Sequence, residues 1–348
     1  MIAIDAMGGD YAPHAIIEGA YLAARTGIKV CLFGDETLIE SHLHSLCADW
    51  RSLPISFIHC SQVITMDDEP VKSVRKKDSS LIQAMEWVAI GKARAVVSAG
   101  NSGACLVAGM VVIGKLPNVL RPAIGGFLPT QRDSVFCTDL GANADCRPEF
   151  LQQFALMGSA YVQLTKNIAQ PRIGLLSNGA EAGKGSKLVQ QTYELLTKSS
   201  LHFIGNCEPQ DVLHGAADVV VCDGFSGNIM LKSMEATVQV VTQWLKDEGN
   251  KSFLGRCVGL FGAPIFRRLK KNIKKTQRGG ALLLGLKKPL IIAHGSSNAQ
   301  AIEDAIHFAH SVGSSNFYEE YNKRVVALLE EHGLLLKGSE QELKSASI

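Results

Sequence analysis

Short runs of apolar, β-branched residues alternate along most of the chain with stretches whose apolar positions recur every three to four residues. The short runs predict strands at 2–6, 29–34, 55–59, 95–99, 135–139, 173–177, 202–205, 219–222 and 290–293. Helical spacing between them predicts helices at 12–25, 79–91, 148–166, 187–199 and 226–246, with a last amphipathic helix at 316–331. Strands that are apolar nearly throughout are buried on both faces, and strand–helix alternation makes them parallel. The expectation is an α/β/α sandwich around a mostly parallel sheet, forming one domain over 1–335. A polar tail at 336–348 is expected to fray.

The same pattern locates candidate chemistry. Ligands of parallel sheets bind outside the carboxyl ends of the strands, and several predicted strand ends here carry glycines among polar side chains. They are "VVSAGNSGA" (96–104), "FCTDLGAN" (136–143), "GLLSNGAEAGKGS" (174–186), "VVVCDGFSGNIMLK" (219–232) and "HGSSNAQAI" (294–302). In the first, Asn101 caps a helix that begins near Ser102, and Gly100 and Gly103 let the backbone approach a neighbour. Free N–H groups at such a helix start favour an anion; helix capping alone is the other reading. "DGFSGN" and the segment from His294 repeat the arrangement, and several copies on one rim point to a shared anion site. Asp139 is open to metal binding, ligand orientation or bonding of loop N–H groups. Lys184 stands on a glycine loop as a phosphate ligand or as a solvated cation. The spacing from Gly179 to Lys184 does not fit a P-loop, and "DAMGGDYAP" after the first strand lacks the dinucleotide-binding spacing. No HExxH or clustered histidine spacing occurs, so no metal site is expected.

Composition narrows the class. The chain has 348 residues, 46% apolar and 20% charged, ordinary values for a soluble globular protein. With Lys+Arg at 35 and Asp+Glu at 33, the molecule as a whole is not an electrostatic nucleic-acid binder. Nine cysteines, an odd number with no CxxC pair, read as buried free thiols in a reducing cytoplasm. The start, "MIAIDAMGGD", has no basic leader region and carries Asp5 in its apolar stretch, which argues against a signal peptide. No apolar run reaches the roughly 20 residues of a membrane span.

Charge is concentrated in one place. Residues 251–278 carry nine Lys/Arg and no acidic residue, leaving 26 basic against 33 acidic residues elsewhere, a body of charge −7. Pro264 suits a first helical position. Ile265, Leu269 and Ile273 follow at helical spacing with Phe266 beside them, and Arg267, Arg268, Lys270, Lys271, Lys274 and Lys275 take the other side. A basic amphipathic helix of this kind suits an anionic membrane surface; an acidic partner protein or a solvated surface helix remain as alternatives. Aromatic residues are not interleaved with the charge, which disfavours nucleic acid.

Taken together, "IAIDAMGGDYAP" (2–13), "DEPVKSVRKKDSSL" (68–81), "VVSAGNSGA", "DLGANADCRPEFL" (139–151), "DVVVCDGFSGNIMLK" (218–232), "GGALLLGL" (279–286) and "AHGSSN" (293–298) resemble the phosphate acyltransferases of the PlsX family. The matching stretches span nearly the whole chain in family order. The resemblance implies a Rossmann-like α/β/α sandwich related to phosphotransacetylases and isopropylmalate dehydrogenases. It implies formation of acyl-phosphate from acyl-acyl carrier protein and inorganic phosphate, in a homodimer that touches the membrane and serves a membrane glycerol-3-phosphate acyltransferase. Where the family reads close to "LLNxGxE…KG", this chain has "LLSNGAEAGKG": Glu181, Lys184 and Gly185 align, and 177–180 depart.

The implied chemistry is attack of phosphate on a thioester. Phosphate is a nucleophile at neutral pH, and a thiol of pKa about 8.5 leaves readily, so a strong general base is dispensable. What is needed is placement of a dianion and stabilisation of an oxyanion. The expected catalytic residues are Lys184, Asn228 and His294. Asn101, Ser102, Gly103, Asp139, Asn143, Asp223, Ser226, Gly227, Ser296 and Ser297 are expected around the substrates, and Ile265, Phe266, Leu269 and Ile273 at the membrane. No cofactor is expected. The rivals are a phosphotransacetylase using short acyl-coenzyme A, an NAD-dependent decarboxylating dehydrogenase, and a non-enzymatic membrane-surface scaffold.

Overall fold

A computed structural model describes residues 1–250, 279–313 and 316–334. Eleven strands form one sheet: β1 (Ile2–Asp5), β2 (Val30–Gly34), β3 (Ile55–His59), β4 (Ala95–Ser98), β5 (Ala123–Pro129), β6 (Ser134–Thr138), β7 (Ile173–Leu176), β8 (Phe203–Cys207), β9 (Val219–Val221), β10 (Ala281–Leu284) and β11 (Leu290–Ile292). Their order is β3-β2-β1-β4-β11-β10-β5-β6-β9-β7-β8. The nine strands read from the sequence are all present. β5 and β10 were not read. β5 is "AIGGFLP", whose paired glycines and terminal proline hide a strand; Gly125 is needed there because a side chain would drive into Phe136 across the ladder.

Helices cover both faces: α1 (His14–Arg25), α2 (Glu36–Leu46), α3 (Pro70–Ser73), α4 (Ser80–Ala89), α5 (Ser102–Ala108), α6 (Pro148–Lys166), α7 (Lys187–Thr197), α8 (Pro209–His214), α9 (Gly224–Asn250), α10 (Ala299–Gly313) and α11 (Phe317–Glu331). Successive strand residues point to opposite faces, so the strands feed two cores. Ile2, Ile4, Val30 and Val97 join residues of α1, α6, α10 and α11 on one side. Ala3, Cys31, Phe33 and Val96 join α4 and α5 on the other. This is the α/β/α sandwich expected, and β1, β4 and β9 are buried at every position as a doubly covered sheet requires.

The direction of the strands decides where chemistry can sit. β1, β2, β3, β4 and β11 run parallel to one another. β6, β9, β7 and β8 also run parallel to one another. Between these sets lie three antiparallel pairings, β11 with β10, β10 with β5, and β5 with β6. Three reversals leave the two sets pointing in opposite directions. The carboxyl ends of β1, β4 and β11 therefore lie on one edge of the sheet, and those of β6, β9 and β7 on the other.

The first three turns of α9 pack on the body through Met230, Leu231 and Met234. From Ala236 to Glu248 every residue is exposed, including Val238, Val240, Val241 and Trp244, the last at 67%. The expected membrane residues Ile265, Phe266, Leu269 and Ile273, and the tail at 336–348, lie outside the described residues. No helix among the described residues is long and apolar enough to cross a membrane.

Candidate active site

On the first edge, three loops meet backbone to backbone. A methyl group built on Gly8 would lie 3.0 Å from the Gly100 Cα, and one on Gly9 would lie 3.2 Å from the carbonyl oxygens of Ala99 and Gly295. Asp5 ties this knot from below. Its carboxylate is fully buried and accepts from Ser80 Oγ at 2.6 Å, from Ser98 Oγ at 2.7 Å and from the Met7 N–H. Burial pushes the Asp5 carboxyl above the usual carboxylate range, against the pull of those donors. The sequence reading left Asp5 out of the site, although a carboxylate inside an apolar strand was its visible signal.

Asn101 caps α5, its Oδ1 accepting from the Ala104 N–H at 3.1 Å, and its Nδ2 donates to the Met66 and Asp68 carbonyls at 2.9 and 3.0 Å. Its side chain is thereby committed to the loops. Gly103 was expected to admit a ligand; it admits Pro70 instead, whose Cγ would lie 2.7 Å from an added methyl. Exposed His294 accepts the Ser296 N–H at Nδ1, 3.2 Å away, with Ser296 Oγ at 2.8 Å. That bond places the neutral ring's proton on Nε2, free to be donated outward. Ser297 is buried and its N–H bonds the His294 carbonyl.

The opposite edge carries the other set. Asp139 is fully buried; its Oδ1 accepts from the N–H groups of Ile124, Gly141 and Ala142, and its Oδ2 from Asn143 N and Nδ2, all between 2.7 and 3.1 Å. Of the three roles open to it, bonding loop N–H groups is the one observed. Asn143 also donates to the Pro122 carbonyl at 2.8 Å. Asp223 caps α9, accepting from Ser226 N and Oγ at 2.9 Å. The Gly224 N–H goes to the Asn143 carbonyl and the Gly227 N–H to the Asp223 carbonyl. The amides expected to cradle an anion here are already bonded, and Gly227 is a glycine because a side chain would enter the Asp139 carbonyl oxygen.

Two of the site residues read from the sequence remain uncommitted on this edge. The Asn228 carboxamide is half-buried against Gly141 and makes no hydrogen bond among the described residues. Lys184 is exposed on the loop after β7, folded with Glu181 over Gly179, and forms no ion pair there. β7 and β9 are adjacent, so Lys184 and Asn228 follow neighbouring strands on one edge. Ser177 Oγ and Asn206 Oδ1, both under the Lys184 loop, have no partner among the described residues, while Asn206 Nδ2 holds the Glu181 carbonyl at 2.8 Å.

The single rim expected from the sequence is therefore not what one chain builds. Asn101, Ser102, Gly103, His294, Ser296 and Ser297 occupy one edge, and Asp139, Asn143, Lys184, Asp223, Ser226, Gly227 and Asn228 the other. Burial pushes the thiols of Cys105 and Cys146 up to about 12, so neither is a ready nucleophile.

A family model described as fatty acid synthesis protein matches residues 1–320. A phosphate acyltransferase of Geobacillus thermodenitrificans is 45% identical over 315 residues, 89% of this chain and 94% of its own length. Another, from Gloeothece citriformis, is 42% identical over 95% of this chain and 94% of its own. Among solved structures, a phosphotransacetylase from Streptococcus pyogenes superposes with a TM-score of 0.58 at 16% identity, over 90% of this chain and 94% of that one. A 4-hydroxythreonine-4-phosphate dehydrogenase from Klebsiella pneumoniae gives 0.52 at 14% identity, over 90% and 99%. At such identities the likeness to these two is one of fold.

Proposed function

The chain belongs to the fatty acid synthesis protein family, and on that premise we infer that the fatty acyl group it transfers to phosphate arrives as an acyl carrier protein thioester. It is an acyltransferase of lipid synthesis. Identity of 42–45% to phosphate acyltransferases over most of the chain carries this reading. An oxygen of hydrogen phosphate attacks the thioester carbonyl carbon, the C–S bond breaks, and the proton lost by the phosphate ends on the leaving sulfur.

Lys184 and Asn228 are the reacting side chains of choice because the other site residues read from the sequence on their edge, Asp139, Asn143, Asp223, Ser226 and Gly227, are bonded within the loops. The ammonium balances the phosphate dianion and the carboxamide N–H donates to the carbonyl oxygen as it gains charge. His294 donates an Nε2–H hydrogen bond to the departing sulfur and so stabilises the charge it gains, while the proton itself comes from the attacking hydrogen phosphate. Ser102 and Gly103, at the start of α5, contribute backbone N–H groups to phosphate, since the Asn101 cap uses only the Ala104 amide. Asp139, Asn143, Asp223 and Ser226 hold the loops.

His294 and α5 stand on the edge opposite Lys184 and Asn228, so the complete site is assembled between two chains. In a homodimer, the first edge of one chain faces the opposite edge of its partner. The exposed apolar residues of α9 support association, because a helix with Val238, Val241 and Trp244 bare to solvent lacks a burying surface. α9 runs directly into residues 251–278, and Ile265, Phe266, Leu269 and Ile273 there are the proposed contacts with anionic membrane. Peripheral attachment would deliver a labile acyl-phosphate to a membrane glycerol-3-phosphate acyltransferase.

The test is incubation with palmitoyl-carrier protein and labelled phosphate. Acyl-phosphate is expected from the wild type, with about a hundredfold or greater loss in Lys184→Ala and Asn228→Ala. Near wild-type rates in both variants would overturn the residue roles, and an inactive wild type would overturn the donor.

A further inference from the structure

Lys115, Arg121 and Lys287 are three cations gathered at the edge of the sheet that also carries Lys184 and Asn228. A two-residue antiparallel bridge makes the cluster. Lys115 pairs with Leu286, and the Lys287 N–H donates to the Gly114 carbonyl at 2.9 Å. Gly114 has φ +84, and the Lys287 side chain lies across it, its Nζ 3.7 Å from where a Cβ would stand. Lys115 Nζ turns to the Leu120 carbonyl at 2.9 Å, beside Arg121. Burial and the neighbouring Arg121 charge both hold the Lys115 ammonium below its ordinary pKa. Among the described residues, none of the three is paired with a carboxylate, whereas Lys76, Lys166 and Arg172 each have an acidic partner.

Like charges held together without a counter-charge are costly to a fold and useful to a ligand. Arg121 and Lys287 are exposed and Lys115 is half-buried, with Val111 and Pro117 exposed beside them in sequence. The cluster also adjoins the reacting loops directly. Arg121 precedes Pro122, whose carbonyl holds Asn143, and Asn143 belongs to the loop in which Gly141 abuts Asn228. An acidic protein resting on the three cations would place a thioester on a flexible arm at the Asn228 loop.

We propose that Lys115, Arg121 and Lys287 form the docking rim for the acidic surface of the carrier protein that brings the acyl thioester. This rests on the carrier-dependent reading above. Rim charges of this kind steer encounter and set salt dependence more than they alter chemistry. The full-length enzyme is assayed with acyl-carrier protein across a salt series, comparing wild type, Arg121→Glu/Lys287→Glu and the single Lys115→Gln. The double variant is expected to raise KM for acyl-carrier about tenfold or more at low salt. It should keep kcat at saturating carrier and KM for phosphate, and lose most of the wild type's salt dependence. Lys115→Gln should show a smaller shift of the same kind. Unchanged KM for the carrier in the double variant, or a fall in kcat alone, would overturn the rim while leaving the acyl transfer intact. A wild type that makes no acyl-phosphate from any carrier thioester would overturn the underlying function instead. Melting curves of the variants matching the wild type tie any KM change to docking; a shared loss of folding in both the double and the single variant would show the cluster to be structural and would also overturn the rim.

Discussion

Two inactive chains should restore each other if the site is shared between them. The perturbation is a pair of variants, Lys184→Ala on one edge and His294→Ala on the other. β4 has four residues and β6 five, and at about 3.3 Å per residue the two edges stand roughly 13–17 Å apart, beyond the reach of one side chain across the sheet. A site composed of one chain's His294 edge and its partner's Lys184 edge is isologous in a two-fold dimer. In a mixed dimer, one of its two sites then collects both mutations and the other collects none. Random mixing makes about half the dimers mixed, so about a quarter of wild-type activity should return; mixed dimers purified through two different tags should show about half. The assay is acyl-phosphate formation from palmitoyl-carrier protein and labelled phosphate after co-expression. Mixed dimers as inactive as their parents, or a fully active His294→Ala chain, would refute the two-chain site.

Gly103→Ala should lower stability by about 1–3 kcal/mol through overpacking against Pro70, read as a drop in Tm, with KM for phosphate unchanged because the backbone N–H stays in place; a raised KM at full stability would show that the ligand needs the space left by the missing side chain. Asp218 accepts from Arg172 N, Nε and Nη2 at 2.9–3.0 Å, and although burial pushes its carboxyl up, those bonds carry it net below the usual value. A depressed folded pKa gives stability that is present above the unfolded value of about 3.9 and lost as pH falls through the folded one. Asp218→Asn should therefore cost about 1–3 kcal/mol at pH 7, with the gap narrowing as pH falls below about 4; a gap that does not narrow at all on acidification below that point would refute the ion-pair account. Replacing Ile265, Leu269 and Ile273 with Ser should leave turnover on soluble substrates intact and abolish co-sedimentation with anionic vesicles, and undiminished sedimentation would remove the membrane role from residues 251–278.

The nine strands legible in the sequence are those each followed by a helix, because an unbroken apolar run bounded by polar punctuation survives without knowledge of its neighbours. β5 and β10 failed that test for local reasons. β5 spends two of its seven positions on glycine to pass Phe136, Leu284 and Leu140, and β10, "ALLL", lies between Gly279-Gly280 and Gly285 and has no β-branched residue. The cost of missing β5 was larger than one strand. A helical crossover keeps direction and a hairpin reverses it. β5 reaches β6 through a hairpin, so β6, β9, β7 and β8 all run opposite to β1 and β4. With β5 left out, β6 reads as following β4 by a crossover, and every strand end falls on one edge. One unread strand is a parity error that moves half the site to the wrong side of the sheet.

A second ambiguity has the same root in local information. Glycine beside Asn, Ser and Asp at a strand end has two uses: to receive a ligand, or to let two backbones touch while short polar side chains bond the amides so exposed. The sequence pattern is identical in both cases. Coordinates separate them by asking which groups are already bonded. Asn101, Asp139, Asn143, Asp223 and Ser226 have their partners within the loops, and Gly103 and Gly227 face Pro70 and Asp139. Such residues are indispensable to the site's shape and poor candidates for contact with phosphate, since a ligand would have to displace bonds whose buried donors then go unmet at about 1–3 kcal/mol each. What is left over, an ammonium on Lys184, a carboxamide on Asn228, an Nε2–H on His294 and the first amides of α5, is a short set divided between two edges. If the proposed two-chain site holds, that division makes association a requirement of the chemistry, and a dilute monomer should keep its fold and lose its turnover.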